Sequence, residues 1–85
     1  MVVTLDSLLR AAPRESYRFL EDGEKTLFEF NDVRYQVPAP VALTIRAMSE
    51  HATFRARNLG DHLDEHGRLQ LIRHLTDIGF LTVLQ

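Results

Sequence analysis

The chain contains no cysteine. It can form neither a disulfide staple nor a thiolate metal site, and its redox compartment is left open. It also lacks a basic excess, with ten Lys and Arg against twelve Asp and Glu and a formal net charge of −2. Phosphate neutralisation drives nucleic-acid binding, so this balance counts against such a partner. No apolar run approaches the roughly 20 residues that cross a bilayer. Met1-Val2-Val3 gives way to Thr4 and Asp6, without the basic and apolar regions of a secretory signal. No repeat, low-complexity tract, P-loop, GxGxxG, GxSxG or HExxH is present. The expectation is a soluble, cytoplasmic domain without a membrane partner.

What is there is a modest but sufficient core. An apolar share of 45%, with five Phe and two Tyr in 85 residues, suits one small domain over residues 1–85. Thr4 is placed to cap a first helix, LDSLLRAA, which Pro13 stops. SYRFLE then alternates, with Tyr17 and Phe19 on one side. Asp22-Gly23 is expected to form a type I′ hairpin turn. KTLFEF puts Phe28 and Phe30 on one face, and Asn31-Asp32 offers a second tight turn into VRYQV. The expected product is a three-stranded antiparallel meander with one aromatic face covered by helices.

After residue 37 the apolar period changes from strand to helix. Pro38 and Pro40 end the strand, and Pro40 suits a first helical turn. VALTIRAMSEH places Val41, Ile45 and Met48 on one line, widened by Leu43 and Ala47. His51, near the end of that helix, suits the dipole there. ATFRAR reads as a connector with one short extended piece. Asn58 is expected to cap a short helix, LGDHL, with Asp61 in a capping-box position. Asp64 caps the last helix, where Leu71, Ile72, Leu75 and Ile78 face the core and Gly79 supplies a left-handed stop. FLTVL closes as a strand. Helix, meander, helix, short helix, longer helix and strand describe an α+β chain, a winged helix-turn-helix with a small antiparallel β-meander.

The segment GDHLDEHGRLQLIRH holds three of the four histidines and spells His-x-Asp at His62 and Asp64. An iron triad needs these two side chains together with a second His. On a helix, residues i and i+2 diverge by roughly 200°, and Asp64 as a cap with Gly67 behind it breaks the path from His62 to His66. His66, Gln70, Arg73, His74 and Asp77 share the face opposite the apolar stripe and read as a solvated surface. Ser49 and His51 likewise point apart, so nucleophilic catalysis has no candidate. No catalytic, cofactor-binding or metal residue is expected, and the chain is not expected to be an enzyme.

Binding is the remaining role. A DNA-reading helix would use Arg68, Gln70, Arg73 and His74, with Arg55 and Arg57 on phosphates, but Asp61, Asp64, Glu65 and Asp77 surround the same helix. A protein or peptide partner is favoured instead. Arg68, Gln70, Arg73, His74 and Asp77 form the candidate interaction face. The open edges of SYRFLE or VRYQV offer a second route, by strand addition.

LFEFNDVRYQVP, PVALTIRAM and RNLGDHLDEHGRLQLIRHLTDIGFLTVL together resemble the C-terminal winged-helix domain of Jumonji-C, cupin-type 2-oxoglutarate oxygenases that hydroxylate ribosomal proteins. The resemblance covers residues 27–84 and is one of pattern: Asn-apolar-Gly-Asp, an apolar helix, a Gly stop and a hydrophobic strand. It implies a non-catalytic accessory module, acidic on its would-be recognition face. Fe(II) and 2-oxoglutarate would belong to an upstream cupin barrel that this chain lacks, so no ligand carries over to His62 or Asp64. The chain would be a fragment of such an oxygenase, docked on the rest of a longer polypeptide, or a free-standing relative. A second resemblance, through the meander, the helices and the Gly79-Phe80 step, is to small winged helices of modified-peptide biosynthesis. It implies a leader-peptide partner.

Overall fold

Two antiparallel three-stranded sheets and two α-helices are formed by the described residues. The structure is a computed structural model that describes residues 3–59 and 62–84. The chain is α+β, but its first element is not the expected helix. The Thr4 amide donates to Ser7 Oγ at 3.0 Å, and the Asp6 amide donates to Thr4 Oγ1 at 3.2 Å. Thr4 therefore caps a turn, and Leu8–Ala11 continues as strand β1. A stretch this short is a marginal helix by itself. Pairing on both edges of β1, with Leu9 fully buried, outweighs its helical spacing.

After a 3₁₀ turn at Arg14–Ser16 the meander follows as β2 (Tyr17–Asp22), β3 (Lys25–Phe30) and β4 (Val33–Val37). Its register pairs Phe19 with Phe28 and Phe28 with Tyr35, which gathers the aromatic rings on one face. The second tight turn falls at Asn31-Asp32 as expected, but the first differs from the expectation. Asp22 pairs with Lys25, so the first loop is Gly23-Glu24, and only Gly23 has positive φ, 64°. That is the requirement of a II′ loop, with Asp22 serving as the last strand residue. Asn31 and Asp32, with φ of 57° and 66°, make the I′ loop instead.

Helix α1 (Ala39–Ser49) starts behind Pro38 and has Pro40 in its first turn. Ala42, Thr44, Ile45 and Met48 are its buried residues, and Thr44 Oγ1 satisfies itself on the Pro40 carbonyl at 2.8 Å. Leu43, expected to widen the core stripe, is 48% exposed. Strand β5 (Phe54–Arg55) is the short extended piece of the connector, and a 3₁₀ turn follows at Ala56–Asn58. Asn58 thus closes a turn where it was expected to open a helix. Leu59 is extended, and His62 and Leu63 lie in a turn and a bend. Gly60 and Asp61, and with them the expected capping-box residue, lie outside the described residues.

Helix α2 (Glu65–Asp77) begins as expected: Asp64 accepts the Gly67 amide at 2.7 Å. It ends in a Schellman motif, with Gly79 at φ 87°, Gly79 N–H on Thr76 O at 3.1 Å and Phe80 N–H on Leu75 O at 2.9 Å. That reversal sends the chain into β6 (Leu81–Val83), which pairs with β1. The second sheet has the order β5-β1-β6, its middle strand supplied from near the start of the chain.

Phe80 joins the two sheets. It is 1% exposed and lies edge-on to Tyr17, Phe28 and Phe30, with ring centroids 5.1, 5.2 and 5.4 Å away. Edge-to-face rings add roughly 0.5–1.5 kcal/mol per pair beyond the area they bury. Leu9, Ile45, Met48, Ile72 and Leu75 complete the core around this junction. Among the described residues, no helix is long and apolar enough to cross a membrane.

Candidate functional site

Among the described residues, no three His, Asp or Glu side chains converge as metal ligands would. Asp64 spends its carboxylate on the helix cap, while His62 and His66 are exposed beside it.

The residues of the expected interaction face separate into two groups. Gln70, Arg73, His74 and Asp77 are exposed on α2. Arg68 instead turns back under the helix, and its Nη1 donates to Ala56 O at 3.3 Å and Leu59 O at 3.1 Å. It ties α2 to the 3₁₀ turn, and its buried Nε has no hydrogen-bond partner among the described residues. The spacing carried that signal: Arg68 sits four residues before Ile72, in line with the apolar stripe.

Arg55 and Arg57, candidates for phosphate contact, are also engaged. Arg57 grips the Asp6 carboxylate through Nε and Nη2 at 2.6 and 3.2 Å, while Arg55 Nη1 donates to the Asp6 carbonyl at 2.5 Å. The hydrogen bond from Arg57 holds the Asp6 carboxyl below its ordinary value, and the same bond raises Arg57. On the outer face of the meander, Glu29 receives Arg18 and Arg34 at 2.7 Å each, and both bonds, Arg34's first, depress its pKa.

The feature of the surface that stands out is a cleft of about 410 Å³ between the meander and the helices. Phe28, Tyr35, Gln36 and Val37 line it from β3 and β4, and Val41 and Ile45 from α1. Leu63, Gly67, Gln70, Leu71, His74, Leu75 and Ile78 form the opposite wall along α2 and its flanks. Alternation puts Tyr35 and Val37 on the inner face of β4, and the helical period brings Gln70 and His74 to the rim one turn apart. Tyr35 meets His74 edge-on, with centroids 5.8 Å apart. Among the described residues, no Lys, Arg, Asp or Glu lines this cleft. It can receive apolar side chains between a few polar rim groups, the usual make-up of a recognition pocket.

Of the expected face, the cleft takes Gln70 and His74 and excludes Arg73 and Asp77. Tyr35, Gln36 and Val37 of the cleft belong to VRYQV, expected only as an open edge for strand addition, and Leu63 was not part of the expected face. The alternating apolar stripe of VRYQV was the available signal, but alternation does not say which strand ends at an edge. Compared with models of known protein families, with curated proteins and with solved structures, the chain matches none.

Proposed function

We propose that this domain is a non-catalytic protein-interaction module that receives a segment of a partner protein in the cleft between β4 and α2. The observation that carries the reading is that cleft: open, apolar and, among the described residues, free of charged lining. An exposed apolar concavity rimmed by polar groups is the usual mark of a docking site. The half made of α1, β5, α2 and β6 is read as a winged helix whose sheet is completed by β1. On the oxygenase resemblance, the module sits behind a cupin barrel in the cytoplasm and carries neither iron nor 2-oxoglutarate itself.

A second reading, leader-peptide binding, is favoured by the position of β4 at the edge of the meander, beside the cleft. DNA recognition has less support, because Arg55, Arg57 and Arg68 are engaged within the fold. Phosphate binding needs free cations, and Arg73 shares its helix surface with Asp77 and Glu65.

The test is an amide-resolved titration of the labelled domain with duplex DNA at moderate salt and, separately, with a capped peptide alternating Ile and Thr. The peptide is expected to move Tyr35, Gln70 and His74, and the DNA to move nothing saturably. Saturable shifts with DNA on Arg68, Gln70 and Arg73 would overturn the ranking. A His-x-Asp barrel encoded upstream of Met1 would support the oxygenase setting over the leader-peptide one.

A further inference from the structure

The Asn31-Asp32 loop makes Phe30 and Val33 a hydrogen-bonded pair, and the pattern alternates from there. Glu29 and Arg34 face each other without exchanging backbone bonds, as do Leu27 and Gln36. The N–H and C=O groups of Arg34 and Gln36 therefore point away from β3. Among the described residues no strand lies beyond β4, and neither residue makes a backbone hydrogen bond outside its sheet. A row of donors and acceptors at strand spacing thus runs along the cleft.

The side chains on this edge fit the same occupant. Val33, Tyr35 and Val37 project from one face of β4; Val33 is 47% exposed, and the other two are half-buried. On the opposite face, Arg34 is 61% exposed and shares the Glu29 carboxylate with Arg18. Two guanidiniums on one carboxylate leave a positive charge at the edge.

We infer, resting on the docking reading above, that β4 is a strand-addition edge for an extended segment of a partner protein, with apolar side chains at alternate positions and a carboxylate opposite Arg34. The backbone of the segment bonds to Arg34 and Gln36. Its apolar side chains lie beside Val33, Tyr35 and Val37 and reach Leu71 across the cleft. An acidic group on the other face complements the charge at Arg34. A helix laid in the cleft would leave the β4 backbone unused. A second copy paired symmetrically about Arg34 would set two Arg34 side chains face to face, and one paired about Tyr35 would set them diagonally, like-charge arrangements that disfavour these pairings.

The probe is a capped seven-residue peptide alternating Ile and Thr, with Glu in place of the central Thr, added to the labelled domain. Hydrogen exchange at the Arg34 and Gln36 amides is expected to slow on binding. N-methylating one alternate set of peptide amides should weaken binding at least about fivefold, and methylating the other set should leave it unchanged. Arg34→Gln should weaken the Glu peptide by about two- to fivefold and leave the all-Thr peptide unaffected. Shifts at Tyr35, Gln70 and His74 without protection at Arg34 and Gln36 would overturn strand addition and leave docking in the cleft standing. Equal effects of both methylation sets would do the same. No shift anywhere in the cleft would remove both readings, and protection that grows with domain concentration alone would assign the edge to a second copy.

Discussion

The two sheets of this molecule are built in opposite ways. The β2-β3-β4 meander is local: each strand pairs with its neighbour in sequence across a two-residue loop. The β5-β1-β6 sheet draws its strands from three distant parts of the chain. Local pairing closes small loops and is specified by turn residues and alternation. Remote pairing closes large ones and is specified by what the strands bury, here Leu9, Phe54 and Leu81. The first sheet depends on its turns, the second on the shared core, and Phe80 binds the second to the first.

That contrast can be broken most sharply at the junction. Phe80→Ala is expected to cost about 3–5 kcal/mol, because it removes three edge-on contacts and leaves a cavity between the sheets. Urea unfolding reads this as a lower midpoint at unchanged slope; a loss confined to one sheet, seen by amide exchange, would show that the sheets are independent. Leu9→Ala comes next, at about 2–5 kcal/mol. Its amide-exchange losses should concentrate in β1, β5 and β6, with the meander retained longest. Asp32→Gly tests the local side: relieving a left-handed non-glycine residue should raise stability by up to about 1 kcal/mol, visible as a higher thermal midpoint.

Acid sensitivity is the smallest effect. Glu29 and Asp6 have folded pKa values below their ordinary 4.5 and 3.8. Each carboxylate thus contributes stability that is present above its ordinary value and lost as pH falls through its depressed one. Glu29→Gln should therefore flatten the decline in unfolding midpoint from about pH 5 downward and change little at pH 7. Asp6→Asn should do the same through the clamp between the first turn and Arg57, which supports the remote sheet.

The same contrast explains what could be read in advance. Tyr17–Asp22, Lys25–Phe30 and Val33–Val37 were legible because alternation and turn residues lie within a few positions of each other. Asp64 and Gly79 were legible because a cap and a left-handed stop are local events. Leu8–Ala11 was misread: Leu5, Leu8 and Leu9 satisfy a helical period over too short a span, and the strands that claim the segment lie more than forty residues away. Arg68 was misplaced because its partners are carbonyls of a turn, Ala56 and Leu59, which no side-chain pattern marks. Of the cleft, the α2 rim at Gln70 and His74 was visible as a polar face and VRYQV as a possible edge strand, while the apolar gap between them was not.

By itself the sequence determined the meander, both helices, the cap at Asp64 and the stop at Gly79, since each depends on dihedral preferences and periodicities of neighbouring residues. Only the tertiary structure decided that β1 is a strand, that Phe80 joins two sheets and that β4 ends as an edge beside an apolar cleft. Those outcomes follow from which distant surfaces bury one another, and the spacing of residues along the chain does not encode that.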